Sequence, residues 1–275
     1  MRGDPTPRLG GVRGFVFDVD GTLVHRGPDG RGIPQPGAVE VLKRIRASGR
    51  PFVLFTNGSH VRATEIARGL REDGLPIGDD ELLTPIESAI TYLRRYHADE
   101  RVLLFGTDAI HERLVEAGIV ISSDEDPVPG AVLVSHVDEV DLLALERAAR
   151  AVTKGARLLT GSYVRGYAGA NGMIFSRGAM VTAAIAKVTG VRPKVLGKPS
   201  RAAVAELRDH FGFPTHELAV IGDDLGMDVR LGRMAGACTV LVRSGITGSV
   251  DLERVPARQR PDAVVDTVAD LLDRL

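Results

Sequence analysis

The chain has 275 residues, and its 35 Lys plus Arg nearly balance 36 Asp plus Glu, for a formal net charge of -1. That balance lacks the basic footprint of phosphate-backbone binders, so nucleic acid is not expected as a partner. A composition of 44% hydrophobic and 26% charged residues describes a folded globular chain rather than a disordered one, and the single cysteine, Cys238, excludes a disulfide framework and a thiolate zinc site.

The elements follow in chain order. Gly14-Phe15-Val16-Phe17 reads as a buried strand. Residues 37–48 place apolar side chains at 39, 42 and 45, one face of a helix, and Gly49 stops it. Residues 51–55 predict a second strand and 60–72 a second helix. Through the middle, strands are predicted at 101–105, 131–135 and 157–159, with helices at 108–117, 140–153 and 178–188. A short strand at Val195-Leu196 precedes a helix from Pro199 to about Phe211, with proline in its first turn. Residues 218–221, 239–242 and 263–265 predict strands, 225–235 a helix, and a last helix starts near Thr267. Cys238 opens an apolar run and is expected as a small buried residue. The glycine-rich stretches 27–37 and 166–172 read as flexible loops, and acidic 122–130 as a solvated connector. The alternation βαβα predicts an α/β fold with a mostly parallel, doubly wound sheet. No apolar run approaches the roughly 20 residues of a membrane span. The first fourteen residues carry no apolar core of a secretory signal, so a reducing cytoplasm is the expected location.

Polar residues gather where the strands end. The first strand runs into Asp18-Val19-Asp20-Gly21-Thr22, and the second into Thr56-Asn57-Gly58-Ser59. A third precedes Gly197-Lys198-Pro199-Ser200, and a fourth runs into Gly222-Asp223-Asp224-Leu225-Gly226-Met227-Asp228. Ligands of open α/β sheets bind at the carboxyl ends of strands, so four such ends would bring carboxylates, a threonine, an asparagine and a lysine to one edge. Carboxylates without thiolate or imidazole partners suit a hard cation such as Mg2+. A lysine, a hydroxyl and glycine-loop N–H groups suit phosphate oxygens. A carboxylate can be the nucleophile while a second handles protons. Asp18 and Asp20 alternate out of the strand, so both face one site only if the chain turns after Asp18, which Gly21 permits. Each piece alone is explained by turn or cap chemistry; four in this order after apolar runs are not. Gly197-Lys198 is followed by proline and lacks the upstream glycine of a P-loop.

FDVDGTLV, FTNGS, GKPS and GDDLGMD resemble, in order, the four motifs of the haloacid dehalogenase superfamily, and the resemblance spans nearly the whole chain. It is closest to subfamily IIA, the NagD-like and p-nitrophenyl-phosphatase-like phosphatases, which carry an α/β cap between the second and third motifs. Asn57 and Lys198 stand 141 positions apart, room for such an insertion. Further similarity runs through residues 155–160, Gly172-Met173 and Ser244-Gly245-Ile246. The resemblance implies a discontinuous core of 1–84 and 189–275 and a cap of 85–188. It implies a Mg2+-dependent phosphatase of small phosphomonoesters working through an aspartyl-phosphate. Asp18 would be the nucleophile and Asp20 the acid and base. Thr56 and the backbone of Asn57 and Gly58 would hold phosphate oxygens. Lys198 would neutralise charge, and Asp228 would orient Lys198 or water on the metal. Asp18, the backbone carbonyl of Asp20, and Asp223 would hold Mg2+. Pairing through the cap is the dimer the resemblance implies.

Three positions depart from the pattern. Gly58 stands where relatives often have Asn, Asp224 where Asn is frequent, and Gly161-Ser162-Tyr163 where the cap more usually carries Asn. These bear on substrate choice more than on chemistry. Cap residues Tyr163, Arg165, Tyr167 and Asn171 are expected near the substrate. Two other readings stand beside hydrolysis: a non-catalytic ligand-binding or regulatory protein on the same fold, and phosphotransfer to an acceptor other than water.

Overall fold

The computed structural model of the chain describes residues 9–27, 31–123, 128–169 and 172–275, with the backbone alone at 167–169 and 172–173. In chain order it runs through β1 (Gly14–Phe17), a hairpin of β2 (Val24–Arg26) and β3 (Gly32–Pro34), α1 (Ala38–Ala47), β4 (Phe52–Phe55), α2 (Ala63–Glu72) and β5 (Leu82–Leu83). There follow α3 (Pro85–Tyr96), β6 (Val102–Phe105), α4 (Asp108–Glu116), β7 (Ala131–Val134), α5 (Leu142–Thr153) and β8 (Arg157–Thr160). A second hairpin, β9 (Gly166–Gly169) and β10 (Gly172–Phe175), leads to α6 (Arg177–Thr189) and β11 (Lys194–Val195). The chain closes with α7 (Arg201–Phe211), β12 (Leu218–Gly222), α8 (Arg230–Ala235), β13 (Cys238–Val242) and β14 (Ala263–Val265). Among the described residues no helix is long and apolar enough to cross a membrane.

These elements form two compact units. The first comprises Met1–Thr56, Ala63–Leu83 and Val204–Leu275, and the second Asn57–Arg62 and Thr84–Ala203. The boundaries expected from the sequence were 84/85 and 188/189. The compact second unit runs fifteen residues further at its C-terminal end and also takes in the short segment after Thr56.

The first unit is built on a six-stranded sheet in the order β14-β13-β12-β1-β4-β5, parallel throughout. Its central strands are buried on both faces, so they read as continuous apolar runs rather than alternating ones. Phe15 and Phe17 share a core with Val41, Leu42 and Ile45, which the helical spacing of α1 aligns on one stripe. On the opposite face, α8 lies close over the sheet at Gly232, where a Cβ would stand 3.1 Å from Val220 Cβ.

The second unit carries a parallel four-stranded sheet in the order β11-β8-β7-β6. Along β7, Ala131 and Leu133 pack with Ile86, Ile90, Ile110 and Leu114 of α3 and α4. Val132 and Val134, the alternate residues, pack with Ala148, Val152, Val181 and Ile185 of α5 and α6. The period of two thus covers both faces of this sheet with helices.

Several elements differ from expectation. Residues 225–235 are not one helix: Leu225–Val229 form a π turn and only Arg230–Ala235 are α-helical. The cause is local, because the Asp224 carboxylate accepts from Gly226 and Met227 N–H and draws the chain into a wider turn. The segment after Thr267 is a single 3-10 turn, Val268–Leu271. Here the Asp270 carboxylate accepts from Asp266 and Thr267 N–H, tying the backbone into a local turn. Parts of the two glycine-rich stretches expected as loops are strands of the antiparallel hairpins β2/β3 and β9/β10. Helix α3 was not anticipated; Thr84 caps it by accepting from Ile86 N–H, and Pro85 opens it.

Candidate active site

The first unit concentrates carboxylates at its topological switch point. The chain leaves β1 toward β4 and β5, then returns to β12 on the other flank of β1, so the strand order reverses between β1 and β12. A crevice opens at the carboxyl ends of such a pair. Asp18 follows β1 directly and its N–H donates to Ile221 O of β12, 2.9 Å. Asp223 follows β12 directly, and Asp228 comes back from the π turn. One carboxylate oxygen from each of Asp18, Asp223 and Asp228 lies within 4.8 Å of the others. Asp223 and Asp228 are each only 2% exposed, while Asp18 is half-buried.

Each carboxylate has a holder. The buried Thr22 hydroxyl donates to Asp18 Oδ2 at 3.3 Å. Ile246 N–H donates to Asp223 Oδ2 at 2.7 Å, and Asp224 N–H to Asp228 Oδ2 at 3.2 Å. The Thr247 hydroxyl donates to Asp223 O, and the Ser244 hydroxyl to Gly21 O at 2.7 Å. Three glycines leave room for these groups. A Cβ on Gly21, whose φ is +85°, would stand 2.5 Å from Asp223 Oδ2. A Cβ on Gly222 would overlap the Asp228 carboxylate, and one on Gly245 the Asp223 carboxylate. Three acidic groups this close, two of them buried, repel one another unless positive charge sits among them. Their hard oxygen donors fit a divalent cation such as Mg2+.

Of the residues singled out from sequence, Asp20 does not send its side chain into this group. Its main chain bridges to Val24, and its Oδ1 lies 2.6 Å from Arg26 Nε, in an exposed ion pair. Thr56 is buried at the end of β4, with its N–H donating to Leu83 O at 3.2 Å. Asp224 is the helix-turn cap described above.

Asn57, Gly58 and Lys198 belong to the second unit. The expectation that four strand ends share one sheet edge is corrected here: β11, which precedes Gly197-Lys198, pairs with β8 in the four-stranded sheet. A strand of two residues carries no pattern that assigns it to one sheet or the other. Lys198 is buried. The Asn57 amide donates to Lys198 O at 2.9 Å and accepts from Lys198 N–H at 2.9 Å. Tyr163 and Arg165 are exposed. Asn171 and the side chain of Tyr167 lie outside the described residues.

The sequence reading missed Thr22 and Thr247 as holders, and it noted Ser244-Gly245-Ile246 only as a similarity. The signal for that turn was a glycine three residues past an apolar strand, a position where backbone can approach closely.

The haloacid dehalogenase-like hydrolase family matches residues 15–120, and a second family described as HAD-hydrolase-like matches residues 195–271. The chain belongs to the haloacid dehalogenase-like hydrolases. Within them it is similar to the ribonucleotide monophosphatase NagD of Escherichia coli (strain K12), 28% identical over 94% of this chain and 98% of that protein. It is also similar to the dihydroxyacetone phosphatase of Corynebacterium glutamicum (strain R), 27% identical over 94% of this chain and 90% of that one. The solved structure of a 4-nitrophenylphosphatase from Thermotoga maritima superposes with a TM-score of 0.85, at 28% identity, covering 96% of this chain and 98% of that chain. The two family matches take in Asp18, Asp20 and Thr56 to Gly58 on one side and Lys198, Asp223 and Asp228 on the other.

Proposed function

We propose that this haloacid dehalogenase-like hydrolase is a Mg2+-dependent phosphatase of small phosphomonoesters that works through an aspartyl-phosphate on Asp18. The observation that carries the reading is the meeting of Asp18, Asp223 and Asp228 within 4.8 Å at the switch point of a parallel sheet. The relatives named above are phosphatases, which supports the same class of reaction.

Asp18 attacks phosphorus, and the bond from phosphorus to the ester oxygen breaks as Asp20 delivers a proton to that oxygen. Asp20 then takes a proton from water as the water oxygen attacks phosphorus. The bond to Asp18 breaks, and inorganic phosphate leaves. Thr56 and the N–H groups of Asn57 and Gly58 hold phosphate oxygens, and Lys198 offsets negative charge on the nucleophile and the phosphoryl group. Asp228 orients Lys198 or shares in holding the cation. Asp18, Asp223 and the Asp20 carbonyl would hold Mg2+, which supplies charge neutralisation for the approach of a carboxylate to a phosphate dianion. The exposure of the Asp20 carboxylate fits a group that must meet both the leaving oxygen and water. The second unit takes the part of a cap that selects the leaving group. Nucleoside monophosphates, dihydroxyacetone phosphate and 4-nitrophenyl phosphate are the first esters to try.

The test is phosphate release from that panel with and without Mg2+, with Asp18→Asn beside the wild type. Release that requires the cation and disappears in Asp18→Asn is expected. A folded wild type silent on every ester, or an equally active Asp18→Asn, would overturn the reading. Phosphate appearing on an added alcohol instead of in solution would shift it to phosphotransfer.

A further inference from the structure

Charge neutralisation by a lysine requires its ammonium at a fixed place, and four rotatable carbons work against that. The main chain beneath the side chain therefore has to be held. In this chain one neighbour holds both polar groups of that residue. The Asn57 carboxamide gives its Nδ2–H to Lys198 O and takes Lys198 N–H on Oδ1, each at 2.9 Å. This is the pairing one strand offers another, made by a single side chain across 141 positions of sequence. A carboxamide presents a donor and an acceptor side by side; a carboxylate offers acceptors only, and a hydroxyl has one oxygen to do both. The approach is close enough to dictate the residue before the lysine. A Cβ on Gly197 would stand 2.7 Å from Asn57 Oδ1 and 2.5 Å from Gly161 O. Lys198 is 4% exposed, so water is poorly placed to take over the two bonds.

The clamp is itself anchored. The Ser135 hydroxyl, just past β7, donates to Ser59 O at 3.0 Å. The Thr107 hydroxyl, just past β6, donates to His60 O at 3.0 Å. Arg62 reaches Glu112 at 2.8 Å and Glu116 at 2.9 Å on α4. Segment 57–62 is thus tied to the second unit along its length.

We infer that the Asn57 side chain is a positioning residue for Lys198, locking the loop that follows Thr56 and the lysine into one rigid piece. The kinetic consequence rests on the phosphatase reading; the clamp itself does not. In Thr56-Asn57-Gly58 the asparagine is then required for its side chain as well as for the N–H that the proposed reaction assigns to the phosphate.

Wild type, Asn57→Ala, Asn57→Asp, Lys198→Ala and the pair Asn57→Ala/Lys198→Ala are compared on 4-nitrophenyl phosphate. Amide hydrogen exchange at Lys198 is followed in the wild type and the two Asn57 variants. A residue acting only through another loses its effect once the other is gone. Asn57→Ala is expected to lower kcat roughly tenfold to a hundredfold, with a smaller change in KM. In the Lys198→Ala background it should cost less than about twofold. Exchange at Lys198 N–H should accelerate in Asn57→Ala, and less in Asn57→Asp, which keeps the acceptor. An equal loss in both backgrounds would mean that the Asn57 side chain meets the substrate itself and would overturn the inference. So would unchanged exchange at Lys198 in a folded Asn57→Ala. If Asn57→Ala does not fold, Asn57→Asp takes its place in both measurements. If Lys198→Ala has no measurable rate, exchange decides. A wild type that hydrolyses no ester sinks the phosphatase reading, and the exchange result still judges the clamp.

Discussion

Gly245 shows how far the carboxylate geometry depends on one missing methyl group. Its added Cβ would occupy the space of the Asp223 carboxylate, so Gly245→Ala must displace either that side chain or the turn that holds it. Groups that orient metal ligands typically cost tenfold to a hundredfold when disturbed. Gly245→Ala is therefore expected to raise the Mg2+ concentration for half-maximal activity by roughly tenfold or more. Gly10→Ala, which would meet nothing within 4 Å, serves as the control and should leave it unchanged. Cys238 makes a different residue-scale prediction. It was expected buried, and it is half-buried, packed against the first unit's core. Burial pushes its thiol up, Asp262 pushes the same way, and Arg233 opposes. The folded thiol therefore holds its proton to higher pH than an unfolded one. Its contribution to stability is present below the ordinary thiol range, about pH 8.5, and is lost as pH rises through the raised value. Between pH 8 and 10 the wild type should lose stability against Cys238→Ala, as read by urea midpoints. Parallel curves for the two proteins would contradict this.

At the scale of elements, the turn after β12 is where local chemistry overrode periodicity. Apolar spacing over 225–235 suggests one helix, yet the Asp224 carboxylate takes two N–H groups and sets a π turn ahead of α8. Removing a capping carboxylate costs about 1 kcal/mol. Asp224→Ala should lower Tm by roughly 2–4 °C, whereas Asp224→Asn, which keeps an acceptor oxygen, should stay near wild type. Equal Tm values for Asp224→Ala and wild type would show that the turn is held by something else. The same contrast explains what the sequence made legible. Strands such as β1, β4 and β12 are apolar runs ended by Asp, Thr or Gly, and α1 carries a clean apolar stripe. Asp18 and Asp223 were readable as a site because each directly follows such a strand, with Gly21 three residues after Asp18 and Gly222 just before Asp223. The hairpin β2/β3 was not, since Gly32 and Pro34 look like loop, and its position depends on Gly32 N–H donating to Asp73, 41 residues away. Strand β11 was misassigned because two residues carry no period. The role of the Asn57 side chain was invisible for the same reason in stronger form: it is a relation between residues far apart in sequence, and no local pattern encodes it.

For the whole molecule, the charge arrangement implies a coupling between metal and stability that is unequally shared. Asp18, Asp223 and Asp228 all lie in the first unit, and that unit closes its own core around Phe15, Phe17 and Ile221. The second unit closes two other clusters on the faces of its four-stranded sheet. The three carboxylates of the first unit gather negative charge at one place; a cation bound there adds stability to the folded state by mass action. At a concentration about a hundred times Kd that gain is about 2.7 kcal/mol, or roughly 5–10 °C in Tm for a unit of this size. Mg2+ should therefore raise Tm where NaCl of equal ionic strength does not, and Asp223→Asn should abolish the difference. Hydrogen exchange locates the effect. Protection should rise at Val220 and Val240 in the first unit's central strands and stay level at Val132 and Leu133 in the second's. A rise of the same size at all four would mean that the two units open together and that the cation stabilises the chain as one cooperative body. No rise at Val220, with Tm unchanged, would mean that the trio holds no divalent ion, and the proposed reaction would lose the charge that lets Asp18 approach a phosphate.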